Sequence, residues 1–440
     1  MEPRETTRTA PSAPLLAASG VARTSLLATM IAVGGPGLLV MLADTDAGNI
    51  VTAAQAGASW GYRLLPLPLL LVPALVMVQE LSVRIGVFGK CGFGELIRER
   101  LGPPWGWVAG AALVVAALSS LVTELTGIAG VGELFGASRW LVLPLASLAL
   151  VLVVLTGQYR RVERTALIFG LFEVSFIIVA CQSHPSGGEV MRDIADQKLA
   201  DFNYLYLGAG LIGATFNPWM IFYQASATAE IRLSPLHYRA ARWETAAGAL
   251  LTQVLTASVL VAVAALLRQG GLAVSLDSIG QISETLTPFL GGATGRLVFG
   301  AGVVGASMAA AIVSALACAW GLGEIFGRRR SLEREARHRL DFMGGYVVWV
   351  VGSAMLVLFV PDLVSLSVGM QVMNAVLFPV IAALLVILAA TALPESARLR
   401  GWYLWLTAAT VGLVAVAGLI GALAGCASPF SNWALRSSCC

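Results

Sequence analysis

Long apolar stretches separated by short polar connections run through this chain. A membrane-spanning helix needs about 20 predominantly apolar residues to cross a hydrocarbon core about 30 Å thick. By that length the pattern predicts eleven spans, numbered here in chain order. They cover residues 26–57, 64–88, 105–133, 140–156, 163–182, 203–229, 244–267, 295–325, 343–360, 363–390 and 402–425.

The composition supports this reading and excludes an ordinary soluble protein. Hydrophobic residues make up 58% of the 440 positions and charged residues 12%, whereas soluble proteins carry about 25% charged residues. The mean hydropathy is +0.82. The chain is therefore predicted to be an all-α polytopic membrane protein embedded in a lipid bilayer. Its net charge of +3 is too small to indicate a nucleic-acid partner.

The positions of the basic residues predict the orientation. Lysine and arginine concentrate in alternate connections, so the positive-inside rule places the N-terminus in the cytoplasm and the C-terminus outside a cell (plasma) membrane. Residues 1–25 are polar and basic, with no short apolar segment and cleavage site, and are expected to form a disordered cytosolic tail. The mixed-charge connections 183–202 and 268–294 receive no predicted function.

Cysteine and histidine usage argues against an enzyme or a resident metal cofactor. The six cysteines form no CxxC pair, and the three histidines lie in polar connections. The sequence contains no HExxH motif and no Cys/His pair within the predicted spans, so a membrane protease or hydrolase has little support. No obligatory protein partner is evident.

Two acidic residues interrupt the first span. An ionised carboxylate at the centre of a membrane helix costs about 2.5 to 3.5 kcal/mol on insertion scales, so Asp44 and Asp46 need a compensating role. Gly48 permits unwinding, which frees backbone carbonyls beside Asp46 and the Asn49 amide. This group of hard oxygens suits a cation. A turn between two short helices, with an aspartate as a helix cap in water, is the alternative.

A second interruption lies in the sixth span. Three glycines lead into Asn217-Pro218, and the proline removes one intrahelical hydrogen bond. Taken alone, this is typical of a proline kink without a ligand. The two interruptions lie five spans apart, however, as two inverted five-helix repeats require. Paired breaks of this kind indicate a transporter with a binding site at the bilayer midplane.

The residues around these breaks resemble a known family. GPGLLVMLADTDAGNIVTAAQAGASWGY, residues 35–62, resembles the first helix of the Nramp (SLC11) divalent-metal transporters, which carries GPG, then DPGN, then a QAGAxxGY-like tail. GATFNPWM, residues 213–220, resembles the family's sixth-helix motif, and Gln371-Val372 stands eight residues before Pro379 as in its tenth helix. The resemblance implies a leucine-transporter-type fold with repeats at 26–182 and 203–390, an eleventh helix at 402–425, and transport of divalent cations by alternating access.

The departures from the family motif bear on the substrate. Asn217-Pro218-Trp219 stands where the family has Met-Pro-His, and Gln224 replaces the next family histidine. A methionine thioether is a soft ligand, whereas an amide oxygen is hard. An all-oxygen site suits Mg²⁺ first and Mn²⁺ next, so the chain resembles the Nramp-related magnesium transporter branch most. The resemblance implies these metal ligands: Asp46, Asn49, Ala214, Asn217 and Gln371, with Ala43, Asp44, Thr215 and Glu124 as accessory residues.

The predicted function is import of Mg²⁺ or Mn²⁺ as substrate, without proton coupling and without a cofactor. In the third span Glu124 is kept, but Leu121 stands where the family has an aspartate. Glu124 is interpreted as a hydrogen-bonded packing group in preference to a proton carrier, and Asp44 as a half-helix cap in preference to a cation attractor at the entrance. The alternatives are a proton-coupled Mn²⁺/Fe²⁺ transporter, an amino-acid or organic-cation carrier of the same fold, and a non-transporting receptor.

Overall fold

The computed structural model describes residues 36–155, 171–269, 276, 279–286, 292–327 and 336–427. Within these ranges the chain consists of helices and short connections, with no strand. The α-helices, numbered in chain order, are α1 Pro36–Asp44, α2 Ala47–Trp60, α3 Pro66–Arg84, α4 Phe93–Leu101, α5 Pro103–Leu134, α6 Arg139–Leu155, α7 Ser175–Gln182, α8 Gly187–Ala195, α9 Phe202–Thr215, α10 Pro218–Glu230, α11 Tyr238–Gln269, α12 Ile279–Leu286, α13 Gly292–Ile325, α14 Ala336–Phe359, α15 Leu363–Thr391 and α16 Gly401–Ala427.

Each of the eleven predicted spans coincides with helix in the described ranges. Seven helical segments there are long and apolar enough to cross a membrane by themselves. Spans four and nine correspond to the shorter apolar helices Arg139–Val153 and Tyr346–Phe359. The predicted tail 1–25, the start of the first span (26–35) and residues 163–170 lie outside the described residues.

The first span breaks at Thr45 and Asp46. The Thr45 N–H donates to the Leu42 carbonyl at 3.2 Å, which closes the last turn of α1. Asp46 then adopts an extended backbone (φ −75°, ψ 174°) and caps α2, because its side chain accepts the Asn49 N–H. The prediction that Asp44 is the cap is therefore wrong. Asp44 is the last residue of α1 and is 0% exposed, so it does not lie at an open entrance either.

The sixth span also separates into two helices. The Phe216 N–H closes α9 on the Ile212 carbonyl at 2.9 Å, and Asn217 is extended (φ −68°, ψ 121°). Pro218 then occupies the first turn of α10, where its missing N–H would have no intrahelical partner in any case. The proline thus begins a new half-helix instead of bending a continuous one.

Glycines bring the helices close enough to enclose the two breaks. A Cβ on Gly213 of α9 would lie 1.8 Å from the Gln371 carbonyl oxygen of α15. A Cβ on Gly57 of α2 would lie 2.5 Å from the Leu260 carbonyl oxygen of α11. Such backbone-to-backbone approach is how membrane helices gain packing energy without a hydrophobic driving force. These close contacts pack α2, α9, α11 and α15 around the two breaks.

The connection 183–202, which received no predicted function, folds into α8 and ties down the end of α2. The Tyr62 N–H donates to Asp193 Oδ2 at 2.9 Å, and Arg63 Nη2 lies 2.8 Å from Asp196 Oδ2. Asp193 also pairs with Arg268 at the end of α11. This cluster, named here the α8 clamp, joins the connection to the first and seventh spans.

Candidate cation site

The five predicted ligands come together between the two helix breaks and α15. Asp46 and Asn49 lie at the α1–α2 break, Ala214 and Asn217 at the α9–α10 break, and Gln371 in α15. Each is at most 1% exposed. Gln371 Nε2 donates to Asp46 Oδ1 at 3.3 Å, and Asn217 Nδ2 donates to the Ala214 carbonyl at 3.1 Å. The structure thus places all five in one buried cluster.

On the first-span side, the Asp46 carboxyl lies beside the Glu124 carboxyl and has one oxygen without an N–H or hydroxyl donor. Its Oδ1 accepts the Asn49 N–H at 2.7 Å, whereas its Oδ2 is buried without a hydrogen bond. Asn49 is held in place from two directions, because Nδ2 donates to the Asp44 carbonyl at 3.3 Å and Oδ1 accepts from Thr256 Oγ1 at 2.8 Å. Asp46 therefore presents a fully buried oxygen that no N–H or hydroxyl satisfies and that a cation would satisfy.

Asp44 faces the same centre from the end of α1. On an ideal helix it would point about 160° away from Asp46, since successive residues turn by about 100°. Unwinding at Thr45 changes this, and Asp44 Oδ1 accepts from Asn217 Nδ2 at 3.2 Å while its Oδ2 has no partner. The break thus turns both carboxylates toward the sixth-span break.

Glu124 of α5 lies beside the start of α2. Its Oε2 accepts the Ala47 N–H at 3.3 Å, and the Thr123 hydroxyl donates to its Oε1 at 3.3 Å. The positive end of the α2 dipole stabilises a carboxylate in this position. Glu124 is 0% exposed and has the hydrogen bonds that the packing interpretation requires.

The other accessory residues border the cluster. Ala43 is fully buried immediately before Asp44. The Thr215 hydroxyl donates to the Leu211 carbonyl at 2.9 Å and accepts from Gln253 Nε2 at 3.3 Å. Thr215 therefore links α9 to α11.

Sequence reasoning missed Asn374 and Thr256. Asn374 Nδ2 donates to Asn217 Oδ1 at 2.5 Å and to Gln371 Oε1 at 3.0 Å. Asn374 follows Gln371 by three positions, so the helical period places both on one face of α15, and this spacing was the available signal. Thr256, which contacts Asn49, was hidden in an apolar run of the seventh span.

Glu173 was missed as well. It is 0% exposed in the 3₁₀ turn Leu171–Val174 that precedes α7, and its carboxylate lies beside Thr45. An acidic residue inside an apolar span is a functional signal in its own right. With Glu173, four buried carboxylates surround the first break. Among the described residues, however, no group of three or more His, Cys, Asp and Glu side chains is placed to hold a metal ion.

Comparisons with known proteins agree with this architecture. The family model described as natural resistance-associated macrophage protein-like (Nramp) matches residues 37–424. The divalent metal cation transporter MntH of Klebsiella pneumoniae (strain 342) is 25% identical over 293 residues, 65% of this chain and 70% of its own length. MntH of Yersinia pestis (strain Pestoides F) is 26% identical over 292 residues, 64% of this chain and 70% of its own length.

Solved structures show the same fold. The crystal structure of the Eremococcus coleocola manganese transporter, in complex with an aromatic bis-isothiourea substituted compound, has a TM-score of 0.73 and 19% identity, covering 92% of this chain and 88% of that one. MhsT in complex with L-phenylalanine has a TM-score of 0.63 and 16% identity, covering 88% of this chain and 98% of that one. The predicted leucine-transporter-type fold is confirmed. With a family match that spans both helix breaks and α15, this multi-pass membrane protein belongs to the Nramp family, whose members are metal transporters and not enzymes.

Proposed function

We propose that this chain imports divalent cations across the plasma membrane by alternating access, Mg²⁺ before Mn²⁺, without proton coupling. The observation that carries the proposal is Asn217 at the sixth-span break, where the resembling motif has a methionine. Its amide lies in hydrogen-bonding contact with Asp44 and Ala214. A hard amide oxygen in place of a soft thioether favours Mg²⁺ over heavier ions.

The proposed ligands are the oxygen-bearing groups that the two helix breaks and α15 bring together. Asp46 supplies its unpaired Oδ2 and most of the charge. Asn49, Asn217 and Gln371 supply amide oxygens, and Ala214 a backbone carbonyl. The accessory set is Asp44, whose Oδ2 is also unpaired, with Ala43, Thr215 and Glu124 around it. Mg²⁺ dehydrates reluctantly and suits a site with a few protein oxygens that leaves waters on the ion.

The membrane potential supplies the driving force in this proposal. With the N-terminus cytoplasmic and the C-terminus outside, the repeats 26–182 and 203–390 rearrange around the fixed site, and α16 lies outside both. An inside-negative potential contributes about 4.6 kcal/mol per 100 mV to the entry of two positive charges, so import needs no proton. The proposal requires no protein partner and no cofactor.

Proton-coupled Mn²⁺ or Fe²⁺ transport is the second candidate. Two observations favour it: the curated relatives and the solved structure are named for divalent metal cation and manganese transport, and Glu124 is a fully buried carboxylate near Asp46. Proton movement accompanying the metal would distinguish it from the uncoupled import proposed here.

An amino-acid carrier is a third candidate because MhsT, which shares the fold, was solved with L-phenylalanine. The half-helix that begins at Ala47 would have to hold the substrate carboxylate. Asp44 and Asp46 both face that position and would repel it. This charge arrangement favours a cation.

Substitution of Asp46 tests the site. In liposomes containing the purified protein, Asp46→Ala is expected to abolish Mg²⁺ uptake because it removes the charged ligand. Asp362→Ala is the matched control, since Asp362 also caps a helix, accepting the Ser365 N–H at 2.9 Å, but lies in an exposed turn before α15. Each substitution removes a cap worth about 1 kcal/mol, so both variants should fold. Unchanged Mg²⁺ uptake in Asp46→Ala would eliminate this site.

A further inference from the structure

A continuous chain of hydrogen bonds joins the two carboxylates of the site through three amides. Asp44 Oδ1 accepts from Asn217 Nδ2 at 3.2 Å, and Asn217 Oδ1 accepts from Asn374 Nδ2 at 2.5 Å. The same Asn374 nitrogen donates to Gln371 Oε1 at 3.0 Å, and Gln371 Nε2 donates to Asp46 Oδ1 at 3.3 Å. Asn374 is the midpoint of this chain, named here the amide relay.

The chemistry of the end groups determines which way each amide faces. Each carboxyl group accepts through its Oδ1, so Asn217 and Gln371 turn their nitrogens toward Asp44 and Asp46. Their oxygens then point at Asn374, whose side-chain nitrogen donates a hydrogen bond to each of them. One NH₂ group has two hydrogens and satisfies both oxygens. Asn374 Oδ1 is left buried without a partner.

In this arrangement the proposed ligand amides face the wrong way for a cation. Asn217 and Gln371 direct N–H groups, the positive ends of their dipoles, at the carboxylates, and direct their oxygens at Asn374. The amide relay therefore supplies hydrogen-bond donors to two buried carboxyl groups, which would otherwise be costly to bury without a metal ion. A cation that enters must turn both oxygens away from Asn374.

We propose that Asn374 is a positioning residue that stabilises the ion-free carrier by holding Asn217 and Gln371 in the carboxylate-facing orientation. This inference rests on the proposed function, since it assigns a step of the same transport cycle. A carrier that is not proton-coupled must return empty after each delivery, with its carboxylates uncompensated by any ion. Asn374 makes that return possible, whereas the ion-loaded carrier does not need it.

Net uptake and exchange separate these two halves of the cycle. Net uptake into Mg²⁺-free liposomes requires the empty return, whereas exchange of labelled Mg²⁺ between Mg²⁺-loaded compartments uses the loaded carrier in both directions. Asn374→Leu keeps the side-chain volume but leaves the oxygens of Asn217 and Gln371 without donors. It should lower net uptake about tenfold or more, since two buried acceptors lose their donor in the ion-free carrier, and should leave exchange within about twofold of wild type.

Two further variants accompany this comparison. Ser367→Ala removes a fully buried hydroxyl two turns away on the same face of α15, outside the amide relay, and should change neither rate. Asn374→Ser keeps one donor in a smaller side chain and should give intermediate net uptake with normal exchange. It also serves as the test if the leucine variant does not elute as a monodisperse protein.

The outcomes are distinct for the two proposals. A selective loss of net uptake in the Asn374 variants supports the amide relay. Equal loss of net uptake and exchange in folded variants, or no loss of either, overturns it while leaving the proposed function intact. Absence of any divalent-cation flux in the wild-type protein contradicts the proposed function instead.

Discussion

Asn217 occupies the position at which this chain departs most sharply from the motif it resembles. Its amide nitrogen contacts Asp44 and Ala214, and its oxygen contacts Asn374. An exchange of sulfur for oxygen at such a position changes the class of ion that the site suits, because thioethers bind soft metals and amide oxygens bind hard ones. In the function proposed here, selectivity therefore depends on this one side chain more than on the helix layout.

Asn217→Met tests that conclusion. We expect reduced Mg²⁺ uptake and increased uptake of Cd²⁺, measured as competition between the two ions in liposomes. Asn203→Met makes the same exchange at the exposed start of α9 and should leave the preference unchanged. An Asn217→Met protein that keeps the wild-type preference for Mg²⁺ would show that the sixth-span side chain does not select the ion.

At the scale of elements, the α8 clamp holds the end of α2 through charges outside the membrane-spanning segments. Burial alone would raise the pKa of Asp193, but the Arg268 hydrogen bond, the Tyr62 N–H and the positive charges of Arg268 and Arg63 outweigh it and lower the pKa below 3.8. A lowered pKa in the folded protein means that ionised Asp193 stabilises the fold at every pH above its ordinary, unfolded-state pKa. That stabilisation is lost only as the pH falls through the lowered pKa.

Asp193→Asn should therefore lower the free energy of unfolding in detergent at pH 7 by about 1 to 2 kcal/mol, because it weakens hydrogen bonds to a charged acceptor. The change is measured as a lower thermal unfolding midpoint. The difference from wild type should shrink below about pH 4, as the wild-type carboxylate becomes protonated. Glu189→Gln, whose carboxylate is 3.8 Å from Arg268 and nearly half exposed, should cost less than about 0.5 kcal/mol. Equal effects of the two substitutions would contradict the clamp.

The close approach of α9 and α15 sets the position of Gln371. A methyl group at Gly213 would collide with the Gln371 backbone, whereas one at Gly412 of α16 would meet nothing within 4 Å. Gly213→Ala is expected to cost about 1 to 3 kcal/mol of stability and to abolish Mg²⁺ uptake, because α15 must move away from the site. Gly412→Ala should leave uptake unchanged. Wild-type uptake in Gly213→Ala would mean that the helices tolerate separation.

At the scale of the whole molecule, the candidate site is buried away from solvent. The proposed ligands are at most 1% exposed. At one end the α8 clamp joins spans one and seven. At the other, Glu324 of α13 accepts from the Ser226 hydroxyl at 2.7 Å and the Gly94 N–H at 3.1 Å, joining α10 and α4. The alternating access proposed here would require one of these sets of contacts to break while the other holds.

The helix layout and the approximate positions of the breaks could be predicted from the sequence, because span length and the Gly and Pro signals are properties of short stretches of the chain. Pro218 marked the second break correctly, whereas the first break lies at Thr45 and Asp46, and Gly48, where unwinding was expected, is helical inside α2. The direction of the Asp44 side chain relative to Asp46 could not be predicted from the sequence, because the helical period does not apply across the unwound Thr45. Asn374 and Glu173 acquire their roles from contacts between spans distant in the sequence. Neither hydropathy nor spacing within one helix encodes those contacts.

The central claim is electrogenic import of Mg²⁺ without protons. Its most direct test is uptake into liposomes containing the purified protein, with an inside-negative potential set by K⁺ and valinomycin and an internal pH dye. The panel is Mg²⁺, Mn²⁺, Ca²⁺ and Cd²⁺, with and without a pH gradient. We predict Mg²⁺ uptake, and weaker Mn²⁺ uptake, that follow the potential, persist when the pH gradient is collapsed, and leave the internal pH unchanged. Uptake of Mn²⁺ or Cd²⁺ that acidifies the interior, with Mg²⁺ neither transported nor competing, would contradict the claim.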